Sequence, residues 1–288
     1  MLMTWAVLAT LAITHEPVAH VWAEVAPQPP RSQRVRQPDR VRAVVLIHGL
    51  LLHPISHDAV IRARLAGWQE PNSALVKALA NESDVYSFGY AQNAPVEAIA
   101  LSPALWLGIQ RLRALGYSEI ALIGYSAGGL IARHFVEEFP TAGVNKVIQV
   151  CTPNGGSNWG RLTLSVRAAQ VPFLTSLTRA ARTQVLAQRA HRLIPPNVEF
   201  VCVVGSVGWY GDILVASGAQ WTDDLQAQGV PAFALWTDHL TVMRGWGSTG
   251  QIAALVRDWH PRWPNGRVAA GRRELLHLSG LLPNWLMR

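Results

Sequence analysis

Cysteine is scarce in this chain of 288 residues: there are two, Cys151 and Cys202, each inside an apolar, strand-like run. A pair so placed excludes a disulfide framework and reads as two buried thiols. Charge is sparse as well. Only 15% of the residues are Asp, Glu, Lys or Arg and half are apolar, which excludes a disordered chain. No Cys-x-x-Cys is present, and in the His-x-x-x-His of His53 and His57 a proline, Pro54, interrupts the spacing and no glutamate follows the first histidine. No metal site is therefore expected there. The glycine-rich stretches lack the lysine of a phosphate-binding loop, so no cofactor is expected either.

A hydrophilic linker long enough to divide the chain into two cores is also missing, so one domain with appendages is the reading. Residues 1–14 are apolar but too few to span a bilayer, and they lack the Lys or Arg of a signal n-region. A cleaved signal ending within Val18 to Ala26, a hydrophobic arm packed on the domain and a misassigned start all fit, which leaves a cytoplasmic and an exported protein both open. Pro27 to Pro38 is rich in proline and arginine and reads as an extended linker. The division expected is thus an appendage over residues 1–40, a domain over 41–260 and a tail over 261–288, where Pro261, Pro264 and Pro283 interrupt a short helix.

The net charge of +7, from 25 basic and 18 acidic residues, gathers in Arg31 to Arg42, Arg161 to Arg192 and Arg257 to Arg273. Without zinc-finger spacing or an RNA-binding aromatic signature beside it, this charge does not indicate nucleic acid. Contact with an anionic membrane surface and plain solubility both account for it. Twelve tryptophans, among them Trp209, Trp221, Trp246, Trp259, Trp263 and Trp285, are read either as core or as amphipathic rings facing an apolar partner.

What is present centres on Glu119 to His134, EIALIGYSAGGLIARH. Ile120 to Ile123 is a short apolar run of strand length, and Leu130, Ile131, His134, Phe135 and Phe139 then recur at helical spacing up to Pro140. Between them Gly124-Tyr125-Ser126-Ala127-Gly128 permits a sharp turn that exposes the Ser126 hydroxyl above the strand. Upstream, VRAVVLIHGLLLHP from Val41 has the continuous apolarity of a strand covered on both faces. It ends at Gly49, after which the Leu50 amide joins that of Ala127 as a candidate donor to an oxyanion. His48 is read as a brace of that loop rather than a base.

Helical and strand signals alternate through the rest: a helix near Asn72 to Asn81, a strand over Asp84 to Tyr90, a helix over Ala104 to Leu115, and strands over Val144 to Cys151, Val198 to Gly205 and Pro231 to Thr237. This order predicts an α/β fold with a mainly parallel central sheet flanked by helices. Residues 161–196 carry helical patterns without a strand and are a candidate for a small helical cap; an ordinary surface helix pair is the alternative. A serine nucleophile requires a base and a group to orient it. His239 follows the last predicted strand, and Asp212 follows the one before it, whereas Asp223 and Asp224 read as a solvated pair.

On VVLIHGL, GYSAGG, Thr152 to Ser157, Gly211-Asp212 and His239, residues 41 to 259 resemble the α/β-hydrolase superfamily and, within it, lipase-like serine esterases related to the inositol-deacylase type of plants and cyanobacteria. The chain carries Asn154 where similar proteins often have histidine. The resemblance implies hydrolysis of a small-molecule or lipid acyl ester through an acyl-enzyme on Ser126, with His239 as base, Asp212 as its orienting acid, and Leu50 and Ala127 as oxyanion donors. Thioesterase and acyltransferase chemistry, or a non-catalytic binding role, remain alternatives.

Overall fold

The computed structural model describes residues 18–27, 41–51, 58–157, 168–207 and 211–278. Its strands are β1 (His20–Ala26), β2 (Arg42–Ile47), β3 (Asp84–Tyr90), β4 (Glu119–Tyr125), β5 (Lys146–Val150), β6 (Glu199–Gly205) and β7 (Ala232–Leu235). The first helices are α1 (Asp58–Ile61), α2 (Ala74–Leu79), α3 (Val96–Ala100), α4 (Pro103–Ala114) and α5 (Ala127–Glu138). Then come α6 (Val171–Ser176), α7 (Arg179–Gln188), α8 (Ser217–Gln220), α9 (Asp223–Ala227), α10 (Trp246–Arg257) and α11 (Asn265–Leu278).

The sheet has the order β1-β3-β2-β4-β5-β6-β7, with β4 at its centre. Every neighbouring pair is parallel except β1 on β3. The apolar run of β2 follows from cover on both faces. Ala43, Val45 and Ile47 join a core with Ile109, Leu130 and Phe135, while Val44 and Leu46 join a second core with Leu75, Leu79, Ile252 and Val256. Helices α4, α5 and α11 therefore sit on one face of the sheet, and α2 and α10 on the other. Each buried valine, leucine or isoleucine of β2 contributes about 1.5–3 kcal/mol of gross hydrophobic stabilisation.

Strand β3 is buried along its whole length although its sequence alternates. Its polar residues are satisfied internally: Ser87 donates to the Gln69 carbonyl at 2.9 Å, and Asp84 accepts from the Tyr117 hydroxyl at 2.5 Å. Both cysteines are buried and unpaired.

The structure differs from the sequence reading at both ends. The sheet begins before Val41, because His20–Ala26 pairs antiparallel with β3 and lays Trp22 against Tyr86 and Phe88. Beyond residue 260, α11 packs on the core through Val268 and Leu275, beside the Trp221–Trp263 ring pair. The apolar stretch 1–14, the segment 28–40, His53, His57, Trp209 and Trp285 lie outside the described residues. Of the other tryptophans, Trp221 is core, whereas Trp246 and Trp259 are exposed. Among the described residues no helix is long and apolar enough to cross a membrane.

Candidate active site

The turn from β4 into α5 is as tight as its glycines require. A Cβ on Gly124 would sit 2.5 Å from the Gly128 carbonyl oxygen, and one on Gly128 would sit 2.2 Å from that of Ile47. Ser126 itself adopts φ 53°, ψ −124°, a conformation costly for any residue with a Cβ and held here by the strand and helix on either side. Its amide is spent on the Val150 carbonyl at 2.8 Å, so the turn is also tied to β5.

Asp212 and His239 come from the loops after β6 and β7. Gly211, at φ 76°, turns the chain within the first loop, and the Asp212 carboxylate next to it is fully buried. One carboxylate oxygen accepts from the amides of Leu214 at 3.1 Å and Val215 at 2.7 Å. The other lies 2.6 Å from His239 Nδ1. A carboxylate only accepts, so Nδ1 carries the proton and Nε2 is left free to accept from the Ser126 hydroxyl, 3.0 Å away. The three residues singled out from chain order are thus brought together. The His239 amide donates to the Asp212 carbonyl at 3.0 Å, which locks the two loops to each other.

The loop after β2 is positioned by His48 together with Gln92 and Gln170, two residues that the sequence reading did not single out. Gly49 lies so close to the turn that a Cβ there would be 2.6 Å from Ser126 Cβ. Its carbonyl accepts from Gln92 Nε2 at 2.8 Å, and Gln92 Oε1 accepts from the Leu51 amide at 3.0 Å and from Gln170 at 2.8 Å. His48 braces the loop, as its sequence position suggested: it stacks on Tyr90 at 4.2 Å, its Nδ1 donates to the Gly49 carbonyl at 2.7 Å, and its Nε2 accepts from the Tyr90 amide at 3.3 Å. Tyr125, the variable residue before Ser126, donates its hydroxyl to the His239 carbonyl at 2.5 Å, and burial pushes its pKa well up. Ala127 opens α5, where a first-turn amide has no partner within the helix.

A cavity of about 270 Å³ opens onto Ser126 and His239, walled by Leu174, Leu177, Leu214 and Val215. Leu174 and Leu177 come from the candidate cap, of which residues 168–196 are described: α6 roofs the cavity and α7 packs away from it. Ile213, 64% exposed, and Leu240, 68% exposed, stand at the rim. The Cys151 sulfur, the Asp212 carboxylate and a His239 nitrogen all lie within 4.8 Å of one another. Burial, together with the adjacent Asp212, pushes the Cys151 thiol well above its ordinary pKa, which keeps it protonated. Asn154 is buried away from this cavity, in mutual hydrogen bonds with Gln149 and a bond to the Gln220 carbonyl at 2.8 Å.

The second half of α5 carries a buried ionic cluster. Arg133, 4% exposed, donates to Glu137 at 2.7 Å, to Asn154 at 3.2 Å and to Asp224. Asp224 is therefore the half-exposed partner of the buried Arg133 rather than one of two solvated carboxylates, although Asp223 is exposed. Arg182 ties Glu97 at 2.6 Å to His134 at 3.1 Å. The i,i+4 spacing of Arg133 and Glu137 inside an apolar helix was the sequence signal for this cluster. Burial alone would raise the Glu137 carboxyl, but His134, whose Nδ1 lies 3.6 Å away, and the Arg133 charge outweigh it and bring it down to about 2. Arg133→Ala leaves Glu137 buried without that partner and is expected to cost about 3–5 kcal/mol, read as a lower urea midpoint. The depressed Glu137 contributes stability above its unfolded pKa and loses it as pH falls from about 5 to about 2, so acid sensitivity over that window should be smaller in the variant.

The sheet order, the turn at Ser126 and the helices on both faces make this an α/β-hydrolase fold. Neither a protein-family model nor a curated protein matches the chain. It is similar in fold to the mature form of a Bacillus licheniformis lipase, at 15% identity over 84% of this chain and 99% of that one, with a TM-score of 0.57. A lipase-esterase related protein from Clostridium acetobutylicum aligns at 10% identity over 83% of this chain and 98% of its own, with a TM-score of 0.52. Aspergillus fumigatus lipase B aligns at 14% identity over 88% of this chain and 60% of its own, with a TM-score of 0.56.

Proposed function

We propose that this chain is a carboxylic ester hydrolase that works through an acyl-enzyme on Ser126. The observation that carries the reading is the continuous chain from Ser126 Oγ to His239 at 3.0 Å and on to Asp212 at 2.6 Å, set beneath an apolar cavity. His239 Nε2 takes the hydroxyl proton as Oγ attacks the ester carbonyl, and the buried Asp212 stabilises the imidazolium that forms. His239 then returns the proton to the departing alcohol. Water, activated by the same nitrogen, releases the acid and restores the serine.

The Ala127 and Leu50 amides serve the oxyanion. Gln92 and His48 hold the Gly49 carbonyl on one side, and a trans peptide directs the Leu50 N–H the opposite way. Acyl esters as the substrate class are supported by the lipases and esterases of like fold and by the leucine-lined wall. The small cavity favours a short to medium acyl chain, which enters past Ile213 and Leu240.

The test is labelling of the folded chain with a fluorophosphonate, followed by peptide mapping and turnover of p-nitrophenyl esters from acetate to palmitate. Modification confined to the Ser126 peptide, with turnover highest below the longest chains, is expected. A folded chain that neither labels nor turns over any member of the series would sink the reading.

A further inference from the structure

A second cavity, of about 760 Å³, adjoins the far half of α5 and shares no lining residue with the one at Ser126. One side of it is apolar, with Leu186, Leu193 and Ile194, and Leu193 stands there 62% exposed. The other side is ionic. Most of its charges already have partners: Glu137 and Asp224 hold Arg133, while Arg189 and Arg192 hold Glu138.

Arg262 is the one lining cation among the described residues with no carboxylate partner, although Asp224 Oδ1 and His134 Nδ1 on the same lining are also buried without a hydrogen bond. Its Nη2 reaches only the Val198 carbonyl at 3.4 Å, and its Nη1, shut off from solvent, has no hydrogen-bond partner. No carboxylate among the described residues pairs with it. A half-buried guanidinium on a cavity wall whose two carboxylates, Glu137 and Asp224, are committed to Arg133 is an unmet demand for an anion, and burial lowers its pKa. The neighbouring apolar wall requires that the anion carry a hydrocarbon body.

We propose that this cavity is a second ligand site, for a free amphipathic carboxylate whose head meets Arg262 and whose chain lies along Leu186, Leu193 and Ile194. The site stands on this geometry alone and does not depend on the chemistry at Ser126. Both the acid set free by ester cleavage and an acid taken up from solution have the required form.

Calorimetric titration of the full-length Ser126→Ala chain with decanoate below its micellar limit tests the proposal, because that chain releases no acid of its own under the proposed reaction. Added decanoate is expected to bind, and Arg262→Gln to weaken it roughly tenfold or more. Leu193→Asp and Leu193→Lys, at an exposed position that folding tolerates, set the sign of the charge: Asp should weaken binding and Lys preserve or strengthen it. Decyltrimethylammonium should bind more weakly than decanoate. Leu240→Asp, at the rim of the Ser126 cavity, should remove only decanoate held in that cavity and leave the binding that Arg262→Gln weakens.

A second arm gives ester to the chain with Ser126 intact. The acid it releases should stay bound after rapid removal of free ester, and less of it in Leu193→Asp than in Leu193→Lys; equal retention in the two would overturn the site. Absence of decanoate binding would overturn the proposal. So would affinity that falls in Leu240→Asp but not in Arg262→Gln, or equal affinity in the two Leu193 variants. Flotation with anionic vesicles separates a lipid surface from a free acid. Loss of vesicle binding in Leu193→Asp without a change in decanoate affinity would make this a membrane patch and overturn the site.

Discussion

Ser126→Ala is expected to lower kcat on p-nitrophenyl esters by roughly 10⁵–10⁶-fold while leaving KM within a few-fold of wild type. The asymmetry follows from the position of the hydroxyl. The oxygen lies 3.0 Å from His239 Nε2, but the walls that would hold an acyl chain are Leu174, Leu177, Leu214 and Val215, which the substitution does not touch. Alanine also relieves nothing at φ 53°, because it keeps the Cβ. The turn should survive, and far-ultraviolet circular dichroism should match wild type. Equal rates in the two chains would mean that the strand, turn and helix form a fold element with no chemistry of its own, and that the esterolysis belongs elsewhere.

Asp212→Asn should cost on the order of 10³–10⁴ in kcat, although it changes one atom. The amides of Leu214 and Val215 point at one carboxylate oxygen and can only donate, so the asparagine carbonyl must take that place. Its NH₂ group then faces His239 Nδ1, which has to become an acceptor. The imidazole proton moves to Nε2, where it points at Ser126 and can no longer receive the serine proton. The deficit should appear equally in ester turnover and in the rate of fluorophosphonate labelling, with melting temperature little changed. Loss of folding, or wild-type labelling kinetics, would count against the role given to Asp212.

The parts of the fold legible in the sequence were those where one local rule governs. The central strand and turn at Ser126 follow from an apolar run and paired glycines, β2 from apolarity without alternation, and Asp212 and His239 from their places after successive strands. The parts that were not legible depend on partners distant in the chain. Strand β1 lies at an edge and is half-exposed, so its residues carry no run that separates it from the preceding apolar stretch. Helix α11 has a weak apolar face, and its anchorage on Trp221 and Trp263 exists only after folding. Gln92 comes from the loop after β3 and Gln170 from the turn that leads into α6, and the two meet only beneath Gly49. The ionic cluster under α5 draws on α3, α5, α7 and α9, and of its pairings only Arg133 with Glu137 and His134 with Glu137 are local enough to leave a spacing in the sequence.

Strand β1 also alters what a usable boundary is for this protein. Trp22 fills the space above Gly108, where any Cβ would collide with its ring at 2.4 Å, and the strand satisfies the outer edge of β3. A chain trimmed to start at Val41 would keep Ser126, Asp212 and His239 in place but would hand the solvent a bare row of amides and carbonyls beside Tyr86 and Phe88. That edge is a template for another copy, so the cost of such trimming falls on solubility and self-association before it falls on catalysis.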